Sequence, residues 1–309
     1  MARIAVIDLG TNSSRLLVAE VTDNRLKELE RRTEVTRLGQ GVDSTGALAE
    51  DAMERVFKAL AEYDRLIAQH QVERTVAVAT SAVRDAANGD DFRTQLKQRF
   101  GIDAQIISGD QEALLTFAGA TSDKPEAATQ VTLVNDIGGG STEFVVGRAG
   151  HWPDFHASTQ AGSVRHTERH LQTDPPTKQQ LEALRQEVAT IIDRAVPPET
   201  RTKVDDGIAV AGTATSLAAI DQQLDPYDPE KVHGYELTHQ ATERILEELR
   251  TTPLEARRQT KGLHPDRAPT IVAGAAILAE IYAAFDLRTM QVSEHDILHG
   301  AALQAANGS

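Results

Sequence analysis

Val6-Ile-Asp8-Leu-Gly10-Thr-Asn-Ser13-Ser14-Arg-Leu16-Leu17-Val18 aligns without a gap to Val134-Asn-Asp136-Ile-Gly138-Gly-Gly-Ser141-Thr142-Glu-Phe144-Val145-Val146. Each copy reads as an apolar strand, an Asp-x-Gly turn with small hydroxyl residues, and a second apolar strand. One copy alone would be an ordinary β-hairpin, because glycine turns between apolar strands are common. Two copies matched at Asp, Gly, Ser and the apolar positions, each opening a stretch long enough for a domain, indicate an internal repeat.

Around the repeat, strands and helices alternate. Strands are expected over 3–9, 16–21, 26–35, 75–79, 104–107, 131–135, 142–146 and 208–211, and helices over 91–100, 110–121, 181–195 and 238–250. The stretch 49–70 carries Met53, Val56, Phe57, Leu60, Leu66 and Ile67 at helical spacing and predicts a long amphipathic helix. The stretch 268–285 is almost wholly apolar, so it predicts a buried helix that suits a core or a dimer interface equally. The polar loop 122–129 marks the domain boundary. The division is 1–122 and 123–309, with a return of the last helix to the first domain left open.

The 309 residues are 40% hydrophobic and 25% charged, ordinary for a globular protein and too long for a single small domain. There is no cysteine, which excludes disulfides, thiolate metal sites and a cysteine nucleophile. No apolar run approaches the ~20 residues that span a bilayer, and residues 1–10 do not have the layout of a signal peptide. A cytoplasmic protein is expected. The net charge of −14 disfavours nonspecific binding to DNA, RNA or an anionic membrane. It leaves room for a polyanionic substrate held in a local cationic site.

The repeated turn has the chemistry for such a site. Glycine lets the backbone approach a ligand closely, and successive N–H groups form an anion nest. Facing each other across a cleft, two such loops would grip a phosphate chain from both sides. Asp8 and Asp136 would hold a divalent cation bridging phosphate oxygens, since Mg2+ takes hard oxygen ligands. No G-x-x-x-x-G-K-[ST] occurs, which sets the chain apart from P-loop proteins. Each turn leads to a strand, not a helix, which sets it apart from the Rossmann fingerprint.

A strand–Asp-x-Gly–hairpin in two halves resembles the actin / sugar kinase / Hsp70 fold. Within that superfamily, Asp136-Ile-Gly-Gly-Gly-Ser-Thr-Glu143 is similar to the second phosphate motif of the exopolyphosphatase / guanosine pentaphosphate phosphohydrolase family, and Asp8-Leu-Gly-Thr-Asn-Ser13 resembles its first. Ala79-Thr-Ser-Ala-Val-Arg84, Ile107-Ser-Gly-Asp-Gln-Glu112-Ala113, Ala161-Gly-Ser-Val-Arg165, Gly212-Thr-Ala-Thr-Ser216 and the Gly262 to Arg267 segment match further landmarks in order. The resemblance implies an α/β fold of two actin-like (ribonuclease H-like) domains, each a mixed sheet flanked by helices, with an interdomain cleft. It also implies a homodimer.

Site roles follow from the same resemblance. Glu112 corresponds to the family's proposed general base, a carboxylate that orients water for in-line attack on phosphorus; Gln111 stands where the pattern has Glu. Glu143 corresponds to an acid near the metal and scissile phosphate, and Asp8 and Asp136 are metal-associated. Thr11, Asn12, Ser13, Gly138, Gly139, Gly140 and Ser141 would contact phosphate oxygens. Arg84 would fork onto phosphate, and Arg165 and Arg267 are weaker cases of the same argument. Thr213 fits the mouth of the cleft or a helix cap. His295 and His299, in a segment that departs from the pattern, read as structural. The expected activity is a Mg2+-dependent (or Mn2+-dependent) exopolyphosphatase acting on inorganic polyphosphate. The alternatives are hydrolysis of guanosine pentaphosphate or another nucleotide, and a non-catalytic polyphosphate or nucleotide sensor.

Overall fold

In the computed structural model, residues 2–22, 25–125 and 128–307 are described. The chain forms two compact units. One runs to Gly119 and takes up the chain again at Ile297; the other is Ala120–Asp296. The division read from the sequence lies a few residues beyond this split, and the C-terminal helix belongs with the first unit. Among the described residues, no helix is long and apolar enough to cross a membrane.

The first unit is built on β1 (Ala2–Leu9), β2 (Ser14–Thr22), β3 (Arg25–Glu34), β4 (Arg74–Ala79) and β5 (Gln105–Ile106), in the order β3-β2-β1-β4-β5. β1, β4 and β5 are parallel, and β2 and β3 run antiparallel to their neighbours. Strand side chains alternate between faces, and β1 shows it: Ala5, Ile7 and Leu9 join one core, Ile4 and Val6 another. The helices Glu50–Gln69 and Gly89–Phe100 cover the first face with Val56, Leu60, Tyr63, Phe92 and Leu96. The helix Ile297–Ala306 covers the second with Leu298, Ala301, Ala302 and Ala305.

The second unit holds β6 (Thr132–Ile137), β7 (Thr142–Gly147), β8 (Phe155–Thr159), β9 (Asp206–Val210), β10 (Glu236–Thr238) and β11 (Thr289–Val292), ordered β10-β11-β9-β6-β7-β8. Read as β8-β7-β6-β9-β11, it repeats the first sheet in order and direction, with β10 added at one edge. The hairpin repeat in the sequence is therefore the visible part of a duplicated sheet topology. The apolar helix Ile271–Phe285 is core, packed with Leu184, Val188 and Ile192 of the helix Lys178–Ala195 and Ile245, Leu246 and Leu249 of the helix His239–Thr251. Each such side chain, fully buried, contributes about 1.5–3 kcal/mol of transfer free energy.

Candidate active site

Ligands of open α/β sheets bind beyond the carboxyl ends of the parallel strands. In the first unit β1 ends there in Asp8-Leu9 and enters the glycine turn. The Gly10 amide donates to the Ser13 carbonyl at 3.0 Å. The Thr11 and Asn12 carbonyls accept from the Gly39 and Arg37 amides at 2.8 and 2.9 Å. The amides of Thr11 and Asn12 have no hydrogen-bond partner among the described residues. Asn12 Oδ1 and Ser13 Oγ are likewise buried without one. Unpaired buried polar atoms are costly, and this turn collects several of them on one side. Asp8, almost fully buried, is tied across the β1–β2 pair to Arg15, whose Nε and Nη2 lie 2.8 and 2.7 Å from Oδ2.

β4 and β5 deliver two more residues to this edge. The Thr80 amide donates to the Leu9 carbonyl, and the chain turns into the helix Ser81–Asp85, which carries Arg84. Beyond β5, Ser108 and Gln111 cap the helix Gly109–Ala120 reciprocally. The Gln111 amide donates to Ser108 Oγ at 3.1 Å, and the Ser108 amide to Gln111 Oε1 at 3.0 Å. This is a capping box, which glutamine serves as well as glutamate. Gln111 thus keeps the local structure while removing a charge beside Glu112. Glu112 lies in the first helical turn, buried, and accepts from Arg84.

In the second unit the Gly138 amide donates to the Ser141 carbonyl at 3.0 Å, the same turn as Gly10 to Ser13. The Gly138 and Gly139 carbonyls accept from the amides of Ser163, Val164 and Arg165, which open the helix Ser163–His170. Arg165 Nε donates to the Gly140 carbonyl at 2.9 Å. The Gly139 and Gly140 amides have no partner among the described residues. The pattern of the first turn recurs: carbonyls tied from behind, amides unused. A Cβ on Gly162 would stand 2.3 Å from the Gly139 oxygen, so only glycine permits this seat.

Asp136 and Glu143 are cross-strand partners, both buried, and Ser158 Oγ donates to Glu143 Oε1 at 2.8 Å. The repeat places Glu143 where the first unit has Arg15. One unit thus holds an ion pair across its hairpin, the other two carboxylates. Like charges opposite each other on a sheet destabilise it, the more so when buried. This all-oxygen donor set fits Mg2+ or Mn2+, whereas Asp8 already has its charge met by Arg15. β9 leads through Ala211, at φ 62, into the helix Ala211–Asp221; a non-glycine residue in this region marks strain of the kind found at functional sites. The Arg267 guanidinium lies against Gly212. Thr213 is inside this helix and does not cap it, since Val210 occupies the N-cap; its hydroxyl is 3.5 Å from the Ile137 carbonyl.

Within the first unit the structure joins Arg84 to Glu112 and places both beside the end of β1. Within the second it sets Asp136 beside Glu143 and Arg165 on the glycine turn. Sequence reasoning passed over Arg15, Ser158 and Gly162. Arg15 was within reach, because aligning the two hairpins sets it against Glu143.

A family model described as the Ppx/GppA phosphatase family matches residues 17–307. Exopolyphosphatase 2 of Mycobacterium tuberculosis is 36% identical over 321 residues, covering 99% of this chain and 99% of that protein. The crystal structure of an exopolyphosphatase-like protein superposes with a TM-score of 0.93 at 34% identity, over 98% of this chain and 97% of that one. A Ppx/GppA family member from Aquifex aeolicus gives a TM-score of 0.82 at 31% identity, over 99% and 98%.

Proposed function

This chain belongs to the Ppx/GppA phosphatase family, and from that premise we propose that it is an exopolyphosphatase releasing terminal orthophosphate from inorganic polyphosphate. The observation that carries the reading is the pair of turns whose carbonyls are satisfied and whose amides are not. Such amides bind anionic oxygens at fixed positions, with no reorganisation as charge develops on them.

Glu112 accepts the proton of the attacking water at a carboxylate oxygen while the water oxygen bonds to the terminal phosphorus. The bridging P–O bond breaks in line, and the shortened chain leaves with its electron pair. Arg84 holds the Glu112 carboxylate in place and brings a positive charge beside the transferred group. Asp136 and Glu143 would hold Mg2+, which when bound neutralises charge on phosphate oxygens.

The test is a phosphate-release panel over polyphosphates of graded length, guanosine pentaphosphate and ATP, with and without Mg2+. Release from polyphosphate that exceeds release from the nucleotides and needs the cation supports the reading. Faster release from guanosine pentaphosphate would transfer it to the nucleotide. Binding without release would make the protein a sensor.

A further inference from the structure

Behind the glycine turn of the second unit lies a cluster that the proposed hydrolysis does not use. His166 and His170 are four residues apart on the helix Ser163–His170 and so share a face. Glu187 reaches them from the helix Lys178–Ala195. One donor atom from each lies within 4.8 Å of the others. His166 is fully buried, and its Nδ1 is 3.1 Å from the Gly162 carbonyl oxygen. That contact makes Nδ1 the protonated nitrogen and leaves Nε2 with its lone pair. Nε2 is buried and has no hydrogen-bond partner among the described residues. Burial also moves the His166 pKa below the ordinary histidine value, favouring the neutral ring. His170 Nε2 meets Glu187 Oε2, while Arg169 takes Oε1 and orients the carboxylate.

We infer that His166, His170 and Glu187 form a binding site for a divalent transition-metal ion of the Zn2+ type. Two imidazoles and a carboxylate suit zinc and leave a coordination position for water. A ligating imidazole is usually held by a carbonyl or carboxylate on its other nitrogen and a ligating carboxylate by a hydrogen bond; the Gly162 carbonyl holds His166 in this way and Arg169 holds Glu187. A second cluster, Asp123 with His233 and His295, lacks this property. His233 Nδ1 accepts from the Glu294 amide at 3.2 Å, so its Nε2 carries the proton and faces Asp123 Oδ2 at 3.3 Å. His233 is thereby committed to hydrogen bonds at both ring nitrogens and offers no lone pair to a metal.

The position gives the site a consequence. The amides that open the helix Ser163–His170 hold the Gly138 and Gly139 carbonyls. A metal at the other end of the same helix would tie it to the helix Lys178–Ala195 and firm the seat of the turn. Metal binding here stands apart from the phosphohydrolase reading, because it is read without substrate.

The experiment uses the full chain, stripped with a chelator. Zn2+ binding is followed by calorimetry, Co2+ binding by visible absorption, and thermal unfolding with and without Zn2+. A single ion per chain, a cobalt band of low coordination number and a Zn2+-dependent rise in Tm are expected. His170→Ala and Glu187→Gln, whose parent side chains are partly exposed, should each weaken binding at least about tenfold while keeping the circular dichroism of the parent. His233→Ala should leave binding unchanged. Absence of binding, binding unaltered in both His170→Ala and Glu187→Gln, or loss of binding in His233→Ala alone would overturn the assignment.

Discussion

Arg84 Nη1 donates to Glu112 Oε2 at 3.2 Å and to the Ile107 carbonyl at 2.9 Å, so one nitrogen anchors the carboxylate to the end of a strand. A carboxylate held this way has a fixed direction of approach to a water, as the proposed general base requires. Glu112→Ala should lower kcat by about 10²–10⁴ with Tm and circular dichroism retained, because the Ser108–Gln111 box still caps the helix. Steady-state phosphate release alongside a melting curve measures both. Unchanged turnover would remove Glu112 from the reaction.

Gln111→Glu restores the pattern of the family without disturbing the cap. Its effect on stability should stay within about 0.5 kcal/mol. The added carboxylate disfavours ionisation of its neighbour, so the ascending limb of the pH–rate profile should move to higher pH. A profile that does not move would place the two side chains out of electrostatic contact.

Gly162→Ala sets a methyl group against the backbone of Gly139 and Gly140, where no side chain can swing aside. The variant should lose about 1–3 kcal/mol of stability and most of its phosphate release, read by denaturant unfolding and activity at a temperature where it stays folded. Full activity would show that the turn does not need this seat.

Glu143→Gln takes one charge from the Asp136–Glu143 pair. The Mg2+ concentration for half-maximal release should rise at least about tenfold, and chelation should silence the parent enzyme. Stability in the absence of cation should be equal or higher in the variant, since a like-charge repulsion is gone.

Glu28 on β3 meets His299 Nε2 at 3.1 Å and Arg31 Nη2 at 2.6 Å. Burial pushes its carboxyl up, but the His299 hydrogen bond and the Arg31 charge outweigh this and hold it at about 2, from 4.5. A depressed folded value stabilises above the unfolded value and is lost as pH falls, here from about 4.5 toward about 2. With 37% of the side chain exposed, the contribution is limited to about 1 kcal/mol. Glu28→Gln should flatten the acid limb of the stability curve by that amount.

The strong periodicities carried across well. The helix expected at 49–70 is Glu50–Gln69, and both hairpins close at the aspartate–glycine turn. What escaped was short or uniformly buried. β10 has three residues, and β8 is a half-buried edge strand, so neither presents enough alternation to read. The helix Ala211–Asp221 is buried on nearly all sides, which erases its polar face, and its Gly212, Thr213 and Thr215 argue against a helix. The helix Ser163–His170 carries few apolar residues and owes its place to the glycine turn beneath it. In the site, residue types were legible from the motifs. The bracing by Arg84, the Arg15 clamp and the Gly162 contact depend on chain segments far apart in sequence, which no local pattern records.

One face of the first sheet is covered by residues near the opposite end of the chain, Leu298, Ala301, Ala302 and Ala305. During synthesis, Ile4, Val6, Leu17, Ala19 and Val21 are made early and wait for that cover until the whole intervening unit has been translated. The inserted unit can complete its own core first, so the half whose strands come off the ribosome earliest is the last to become fully native.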